Sequence, residues 1–249
     1  MDTRVNDQAE IYLRRQVAAC TRILNGEDIL GYSGHVSARL PDRPDVILIQ
    51  SFDQSRAEVA PDDLLVVGLD GDVHSAPEGV SPPDEVSIHL EILRARPDVN
   101  SVLHFHPDLP VLFTLVEGAE LRPILNHAYR WASGIPVHPD ASKIVKPAQA
   151  RALAETLGES HAALMRAHGA VVLSESVPAL LVDAVHFVEN ADALYRASLL
   201  GKPKFLSEDE MVEVAKKQGR PRHIDKLWSY YVNKALVAGT LPEAWGAGL

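Results

Sequence analysis

The chain has 249 residues, of which 46% are hydrophobic and 23% are charged, so it can bury the core of one globular domain. Its 34 acidic residues outnumber its 24 basic ones, which gives a formal net charge of -10. This charge repels phosphate backbones and anionic lipid head groups at long range, so we expect neither nucleic acid nor a membrane surface as a partner.

The single cysteine and the first residues bear on the cellular compartment. Cys20 lies in the apolar pattern "QVAACTRIL" and has no second cysteine with which to form an intrachain disulfide. We interpret it as a buried small hydrophobe rather than a nucleophile. The initial segment "MDTRVNDQAEIYLRR" lacks the apolar stretch of a secretory signal, and no later stretch is long and apolar enough to span a bilayer. We therefore expect a cytoplasmic protein.

The first third of the chain is predicted to be one helix followed mostly by sheet. Apolar residues recur at helical spacing from Ile11 to Leu24, and the stretch "NGED" ends this helix. After the loop "GYSGH", the short β-branched segments "HVSARL" and "DVILIQS" predict two adjacent strands. The segment "DDLLVVGLDGDVH" predicts a further hairpin that turns at Asp70 and Gly71.

The middle third begins with the helix predicted in "SPPDEVSIHLEILRARPDV". Prolines stand at its start, acidic residues follow where the helix dipole favours them, and Pro97 closes it, so Glu85 lies near the helix N-terminus. A buried strand is predicted in "NSVLHFH", then a short helix around "LPVLFTLV". The long irregular stretch through "NHAYRWASGIPVHPD" comes next, and loops of that length tend to carry function.

The last third alternates helices and strands. Helix is predicted in "PAQARALAETLG", strands in "HAALMRAHG" and "AVVLSES", and helices at about 178–200, 207–218 and 223–238. No repeat, low-complexity tract or linker interrupts the pattern. The simplest division is a single α/β domain over residues 1–249, with its core at about 8–205 and C-terminal helices at 206–240.

Two histidines in the predicted strand "VLHFHPD" are the strongest chemical signal. Successive strand side chains point to opposite faces, so His104 and His106 project to the same side and Phe105 to the other. Their α-carbons are about 7 Å apart, close enough for both imidazoles to reach one ion. The alternative is that one histidine is exposed and the other is hydrogen-bonded in the core.

A third histidine and a glutamate complete a candidate ligand set. His168 precedes Gly169, which permits an unusual turn or close backbone approach, although a single histidine there can also be structural. Glu85 alone can be a solvated first-turn glutamate. If the fold brings these residues to His104 and His106, three imidazoles and one carboxylate suit a divalent metal with one position open for substrate.

Four motifs carry a family resemblance. They are S-G-H-V-S-x-R at 33–39, P-P-x-E-x-x-x-H at 82–89, R-P-D-V-N-x-V-x-H-x-H at 96–106 and the His168-Gly169 pair. Together they resemble the class II aldolase and adducin family from roughly residue 8 to residue 205. The resemblance implies a three-layer α/β/α sandwich around a mostly antiparallel sheet, in a homotetramer whose active sites lie between subunits. It also implies one divalent metal ion per subunit, which can be zinc, manganese, cobalt or iron, bound by His104, His106 and His168. Glu85 would be the acid/base and can also touch the metal.

Departures from the aldolase motifs narrow the predicted reaction. Sugar-phosphate aldolases of this family bind phosphate with an asparagine in a G-N-x-S loop, a T-P-T/S-G loop and two serines before the glutamate. The present chain has His35, the unrelated segment "QSFDQSRAEVAP" and Pro83-Asp84 at those places, and the Asp84 carboxylate would repel a phosphate. The G-H-V-S-x-R variant is similar to family members that decarboxylate hydroxylated aromatic or heteroaromatic acids, such as dihydroxyphthalate or hydroxypyridine-dicarboxylate decarboxylases.

The resemblance gives two residues a catalytic role. Glu85 would deliver the proton to the ring carbon that loses carbon dioxide; because a nearby cation opposes the raised pKa that a donor needs, a bound water or His35 is the alternative donor. His35 would hydrogen-bond a ring hydroxyl or carboxylate, unless it is a loop histidine packed against the sheet.

The sequence evidence for substrate-binding residues is weaker, and each candidate also has a structural interpretation. Ser33 begins the first motif, and Arg39 and Arg56 can bind a second substrate carboxylate, although each arginine can equally be a surface residue. Tyr129, with His127 and Arg130, would lie near a neighbouring subunit's active site and stack on a flat substrate, or else pack in the interface. We interpret the helix residues His89 and His186 as structural.

Three function classes stay open at this point. The first is a metal-dependent decarboxylase of a hydroxylated aromatic acid, and the second is an aldolase acting on a non-phosphorylated hydroxy-keto acid. The third is a non-enzymatic adducin-like binding module, for which an intact set of metal ligands would have no use.

Overall fold

The computed structural model describes residues 3–249, and it is built around one eight-stranded sheet. The strands are β1 His35–Leu40, β2 Arg43–Ile49, β3 Leu65–Gly68, β4 Val73–Ser75, β5 Ser101–Phe105, β6 Val137–His138, β7 Ala162–Met165 and β8 Gly169–Ser174. Their order across the sheet is β4-β3-β2-β1-β5-β8-β7-β6. Only β6 and β7 pair in parallel, so the sheet is mostly antiparallel as predicted.

Helices cover both faces of this sheet. They are α1 Thr3–Gly26, α2 Val86–Ala95, α3 Asp108–Leu112, α4 Pro147–Leu157, α5 Val177–Leu200, α6 Glu208–Gln218 and α7 Arg220–Val237, with 3₁₀ helices at Pro61–Asp63, Asn126–Trp131 and Glu243–Gly248. Apolar residues of α1, α5 and α7 form a core with one face, and those of α2 and α4 form a core with the other. The fold is therefore the predicted α/β/α sandwich.

Alternation along the central strands decides which residues face α2. Leu103 and Phe105 belong to the core beneath α1 and α5, whereas Val102 belongs to the core beneath α2. Because strand side chains alternate, His104 points to the α2 side of the sheet. His35 is the direct pairing partner of His104 and lies on the same face.

The element boundaries differ from the predictions at two functional positions. Helix α2 starts at Val86, and Glu85 is its N-cap residue, with φ -95° and ψ 20°. Strand β7 ends at Met165, and His168 lies in the tight turn before β8 rather than at a strand end. Ala167 in that turn has a positive φ of 54°. Among the described residues, no helix combines the length and the apolar character needed to cross a membrane.

Candidate metal centre

His104 is the most deeply placed of the four predicted ligands. It is fully buried in the centre of the sheet, and its Nδ1 lies 3.1 Å from the carbonyl oxygen of Ala170 on β8. An Nδ1–H donated to a carbonyl leaves Nε2 as the atom that can bind a metal. That Nε2 is buried, has no hydrogen-bond partner within residues 3–249, and lies 3.3 Å from Glu85 Oε2.

His106 and His168 approach His104 from the end of β5 and from the β7–β8 turn. The ring centroids of His106 and His168 lie 4.9 Å and 5.3 Å from that of His104, and 5.2 Å from each other. Gly169 allows this approach, because a Cβ atom there would lie 2.5 Å from the Phe105 carbonyl oxygen and 2.9 Å from His106 Cδ2. The glycine of the His168-Gly169 pair is therefore a packing requirement of the cluster.

Glu85 adds the carboxylate from the N-cap of α2. Its Oε1 lies 3.5 Å from His168 Nε2 and accepts a hydrogen bond of 3.0 Å from the backbone N–H of Ile144. Burial raises the pKa of this carboxyl. Its contacts with His104 and His168 and the Ile144 hydrogen bond lower the pKa by more than burial raises it, so the net shift is strongly downward. Glu85 is therefore ionised at neutral pH.

The four residues fit a divalent metal. One ligand atom from each of Glu85, His104, His106 and His168 lies within 4.8 Å of the others. Burial, with the neighbouring imidazoles of His104 and His168, lowers the pKa of His106 to about 4, which keeps it neutral as a ligand must be. The buried, unpartnered Nε2 of His104 is the feature that a bound ion would satisfy.

A second layer of polar residues lies behind the cluster. His35 is buried with its ring centroid 6.0 Å from that of His104, and 5.8 Å from that of His89 on α2. His89 Nδ1 lies 2.8 Å from Ser37 Oγ. His89 is fully buried one turn after Glu85, so the four-residue spacing in P-P-x-E-x-x-x-H places both on one face of the helix. Its predicted structural role agrees with this hydrogen bond.

Comparison with known proteins identifies the family. The Class II Aldolase and Adducin N-terminal domain matches residues 15–195. The chain belongs to this family. It is similar to a 3,4-dihydroxyphthalate decarboxylase of Arthrobacter keyseri, with 28% identity over 81% of this chain and 85% of the relative. A protein of the same name from Terrabacter sp. is 30% identical over 75% of this chain and 80% of the relative.

Aldolases are also among the relatives of this class II aldolase family member. A 5-deoxy-D-ribulose 1-phosphate aldolase of Bacillus thuringiensis is 29% identical over 64% of this chain and 73% of the relative. The fold matches the crystal structure of an aldolase II superfamily protein from Pseudomonas syringae, with a TM-score of 0.81, 22% identity, and coverage of 93% of this chain and 95% of that one. The names of the relatives support a lyase.

Arg56 is a cationic side chain close enough to this layer to act on His35. It is buried, and its Nε donates to the Gly34 carbonyl oxygen at 3.1 Å, while its Nη1 donates to the Phe52 carbonyl oxygen at 3.2 Å. Its charge contributes to lowering the pKa of His35, after burial and the neighbouring imidazoles of His89 and His104. Ser33 is half-buried in the loop just before Gly34.

Two predicted substrate contacts do not join the cluster within one subunit. Arg39 is four residues beyond His35 on β1, about 13 Å along the strand. Its guanidinium donates to backbone carbonyl oxygens, among them that of Leu93 at 2.7 Å and that of Val99 at 3.3 Å, so it ties the last turns of α2 and the segment before β5 to β1. Tyr129 is in the 3₁₀ helix Asn126–Trp131, which packs against α5 and α6.

Asp84, predicted to repel phosphate, is paired with a cation. Its Oδ2 lies 2.5 Å from Lys143 Nζ, and both side chains are about half exposed. Ile144, the next residue after Lys143, donates its N–H to Glu85. The loop before α4 therefore contacts two successive residues at the start of α2, and the sequence carried no local signal for either contact.

A cavity of about 500 Å³ opens beside His106. Its lining includes four carboxylates, those of Asp28, Asp108, Glu189 and Asp192. Together they make this side of the ligand cluster unfavourable for an anion. In this family member, the buried cation Arg56 lies on the side of His35 instead.

Proposed function

We propose that this class II aldolase family member is a divalent-metal-dependent decarboxylase of hydroxylated aromatic or heteroaromatic carboxylic acids. The observation that carries the proposal is the convergence of Glu85, His104, His106 and His168 within 4.8 Å. The relatives named 3,4-dihydroxyphthalate decarboxylase support this reaction and substrate class.

The ligand set explains how the electrons left by carbon–carbon cleavage are held. A divalent ion bound by His104, His106 and His168 would act as a Lewis acid for the negative charge that develops on the substrate's oxygens. The zinc, manganese, cobalt and iron ions all accept imidazole nitrogen and carboxylate oxygen.

Glu85 moves the proton. Its pKa lies well below the usual range, so it starts as a carboxylate. It would accept the proton of a ring hydroxyl beside the departing carboxylate, whose acidity the bound cation would raise. Loss of carbon dioxide leaves an electron pair on the ring carbon, and Glu85 returns the proton there. The ring oxygen then regains a proton from solvent. In this scheme Glu85 does not need the raised pKa of a resting proton donor.

The second layer orients the substrate. His35 would hydrogen-bond a ring hydroxyl or carboxylate from its position beside His104, and Arg56 would bind a second carboxylate, with Ser33 at the same loop. The acidic lining of the cavity beside His106 favours placing that carboxylate toward Arg56. We further propose a homotetramer in which Tyr129 reaches a neighbouring subunit's site and stacks on the ring.

One observation favours an aldolase as the second candidate. Lys143 pairs with Asp84, so the carboxylate that would repel a phosphorylated or otherwise anionic substrate is largely neutralised. A relative named as an aldolase is 29% identical over 64% of the chain. This candidate would cleave a hydroxy-keto acid and release an aldehyde.

The test is an anaerobic assay of the metal-reconstituted protein on ortho-hydroxylated aromatic carboxylic acids and on hydroxy-keto acids, with carbon dioxide and aldehyde followed separately. Metal-dependent release of carbon dioxide from an aromatic acid is the expected result. Aldehyde without carbon dioxide would replace the decarboxylase by the aldolase. No product from either substrate class, with metal bound, would contradict both enzymes and favour a binding module.

A further inference from the structure

A second group of potential metal ligands lies where the 3₁₀ helix Asn126–Trp131 meets α5, and one of its members, Glu189, also lines the cavity beside His106. His186 and Glu189 are three residues apart on α5, so their side chains share one face of the helix. His127 of the 3₁₀ helix packs against them. One ligand atom from each of the three residues lies within 4.8 Å of the others.

The distances suit a tetrahedral ion. His127 Nε2 lies 3.5 Å from Glu189 Oε2, and the rings of His127 and His186 are stacked with centroids 4.1 Å apart. In a tetrahedron with bonds of about 2.0 Å, neighbouring ligand atoms are about 3.3 Å apart. The first centre shows the same spacing, with contacts of 3.3 Å and 3.5 Å between Glu85 and its histidines.

Hydrogen bonding does not explain the group. His127 Nε2 is buried and has no hydrogen-bond partner in the described part of the chain, because its contact with Glu189 lacks hydrogen-bond geometry. A buried polar nitrogen without a partner is costly and calls for a ligand or a water. Burial, with the neighbouring imidazoles of His127 and His223, lowers the pKa of His186 to about 3. Burial also lowers the pKa of His127, so both imidazoles are neutral and can coordinate.

The adjacent polar layer shows the contrast. One turn earlier on α5, the buried carboxylate of Asp183 lies 2.7 Å from Arg220 Nη2 of α7 and accepts a 2.6 Å hydrogen bond from Ser174. Glu175 pairs with the same arginine at 2.7 Å. Protein groups therefore satisfy this layer, whereas His127 Nε2 has no hydrogen-bond partner among the residues that the structure describes.

We propose that His127, His186 and Glu189 bind a second divalent transition-metal ion of the zinc class. The set of two imidazoles and one carboxylate suits such an ion, and the 51% exposure of the Glu189 side chain leaves a coordination position for water. The ion would tie the 3₁₀ helix to α5. This site uses no ligand of the first centre, so the proposal stands independently of the proposed reaction.

The test counts metal in the full-length, tag-free protein after loading with Zn²⁺ and removal of unbound ions. Wild type is expected to hold two ions per chain and Glu189→Gln one. His186→Ala should also hold one, and His106→Ala should lose the other ion, so that the double variant His106→Ala/Glu189→Gln holds none. His74→Ala, which removes an exposed histidine on β4, is the matched control and should keep two.

If His186→Ala fails to fold, Glu189→Gln still tests the second site. The Glu189 side chain is half exposed and glutamine has the same shape, so this variant is expected to fold. A second readout is the visible absorption of the Co²⁺-loaded protein, which should lose the contribution of one site in Glu189→Gln. Equal metal content in wild type and Glu189→Gln, whether one ion or two, would overturn the second site. Loss of the ion from His106→Ala alone would bear only on the first.

Discussion

The two histidine clusters of this protein contain similar ligand atoms but are built on different supports. Glu85 and His104 are 5% and 0% exposed, and they come from a helix N-cap and the middle of a sheet. His186 and Glu189 come from one helix face, and the Glu189 side chain is 51% exposed. Both groups bring their ligand atoms within 4.8 Å.

The difference lies in how the ligands are held. In the first cluster, the Ala170 carbonyl oxygen orients His104 and the Ile144 N–H orients Glu85, while Gly169 leaves room for the rings. Such backbone contacts fix a site to the precision that chemistry needs. The second cluster rests on helix packing and one exposed carboxylate, which suits an ion that stabilises the fold. The following predictions test this contrast, from the largest effect to the smallest.

Removing a ligand of the first cluster should abolish turnover. His106→Ala is expected to lower metal content by one ion and activity by at least about 10³-fold, because a Lewis-acid metal supplies several kcal/mol of transition-state stabilisation. Metal analysis and steady-state kinetics on the same preparation measure both effects. Normal activity in a His106→Ala protein freed of metal would remove the whole site assignment.

Changing the carboxylate alone should separate metal binding from proton transfer. Glu85→Gln keeps the three imidazoles, so the ion is expected to stay while kcat falls about 10²- to 10⁴-fold, the range of general acid–base catalysis. Metal content and kcat are compared with wild type. Near-normal kcat with full metal content would assign the proton transfer to His35 or to water.

Filling the space at Gly169 should disturb the first cluster without touching a ligand. In Gly169→Ala, the new methyl group would lie 2.5 Å from the Phe105 carbonyl oxygen, so we expect a loss of stability of about 1–3 kcal/mol together with weaker metal binding. Urea unfolding measures the stability. Gly31→Ala is the matched control, because its Cβ would meet nothing within 4 Å. Equal unfolding midpoints for the two variants would show that the turn can yield.

Acid stability should reveal the histidines outside both clusters whose pKa is lowered in the folded protein. Burial, with the cations Arg130 and Arg96, lowers the pKa of His161 to about 4, and burial lowers that of His89 to about 3. Below the ordinary pKa of 6.5, the unfolded chain therefore binds more protons than the folded protein. Stability decreases as the pH is lowered from about 6.5 to the folded pKa. Each group contributes at most about 1.4 kcal/mol per pH unit.

The measurement is the urea midpoint of the metal-free protein at pH 7.5, 6.0 and 5.0, for wild type and His161→Gln. The variant is expected to lose less stability on acidification, because one proton-binding group is absent from its unfolded state. Parallel decreases in the two proteins would show that other groups govern acid unfolding.

The sequence by itself determined the elements and most of the first cluster. Local periodicity predicts β1, β5 and α2, because period two and period 3.6 are properties of neighbouring residues. The H-x-H spacing also predicts that His104 and His106 reach one point, and their ring centroids are 4.9 Å apart. The glycine after His168 already indicated a close backbone approach, and Gly169 lies against Phe105.

Only the tertiary structure decided the contacts between residues distant in the chain. Lys143 and Ile144 lie 59 residues after Asp84 and Glu85, so no local pattern could predict their contacts. Lys143 neutralises the charge of Asp84, and the N–H of Ile144 orients the Glu85 carboxylate. The apolar helical neighbours of His186 favour a structural role. Its place beside His127 depends on how α5 packs against the 3₁₀ helix. Within the first motif, His35 lies in the layer directly behind the candidate ligands and Arg39 does not, because four residues of strand separate them by more than a side chain can span. Sequence fixes which chemistry is available, and packing fixes which groups meet.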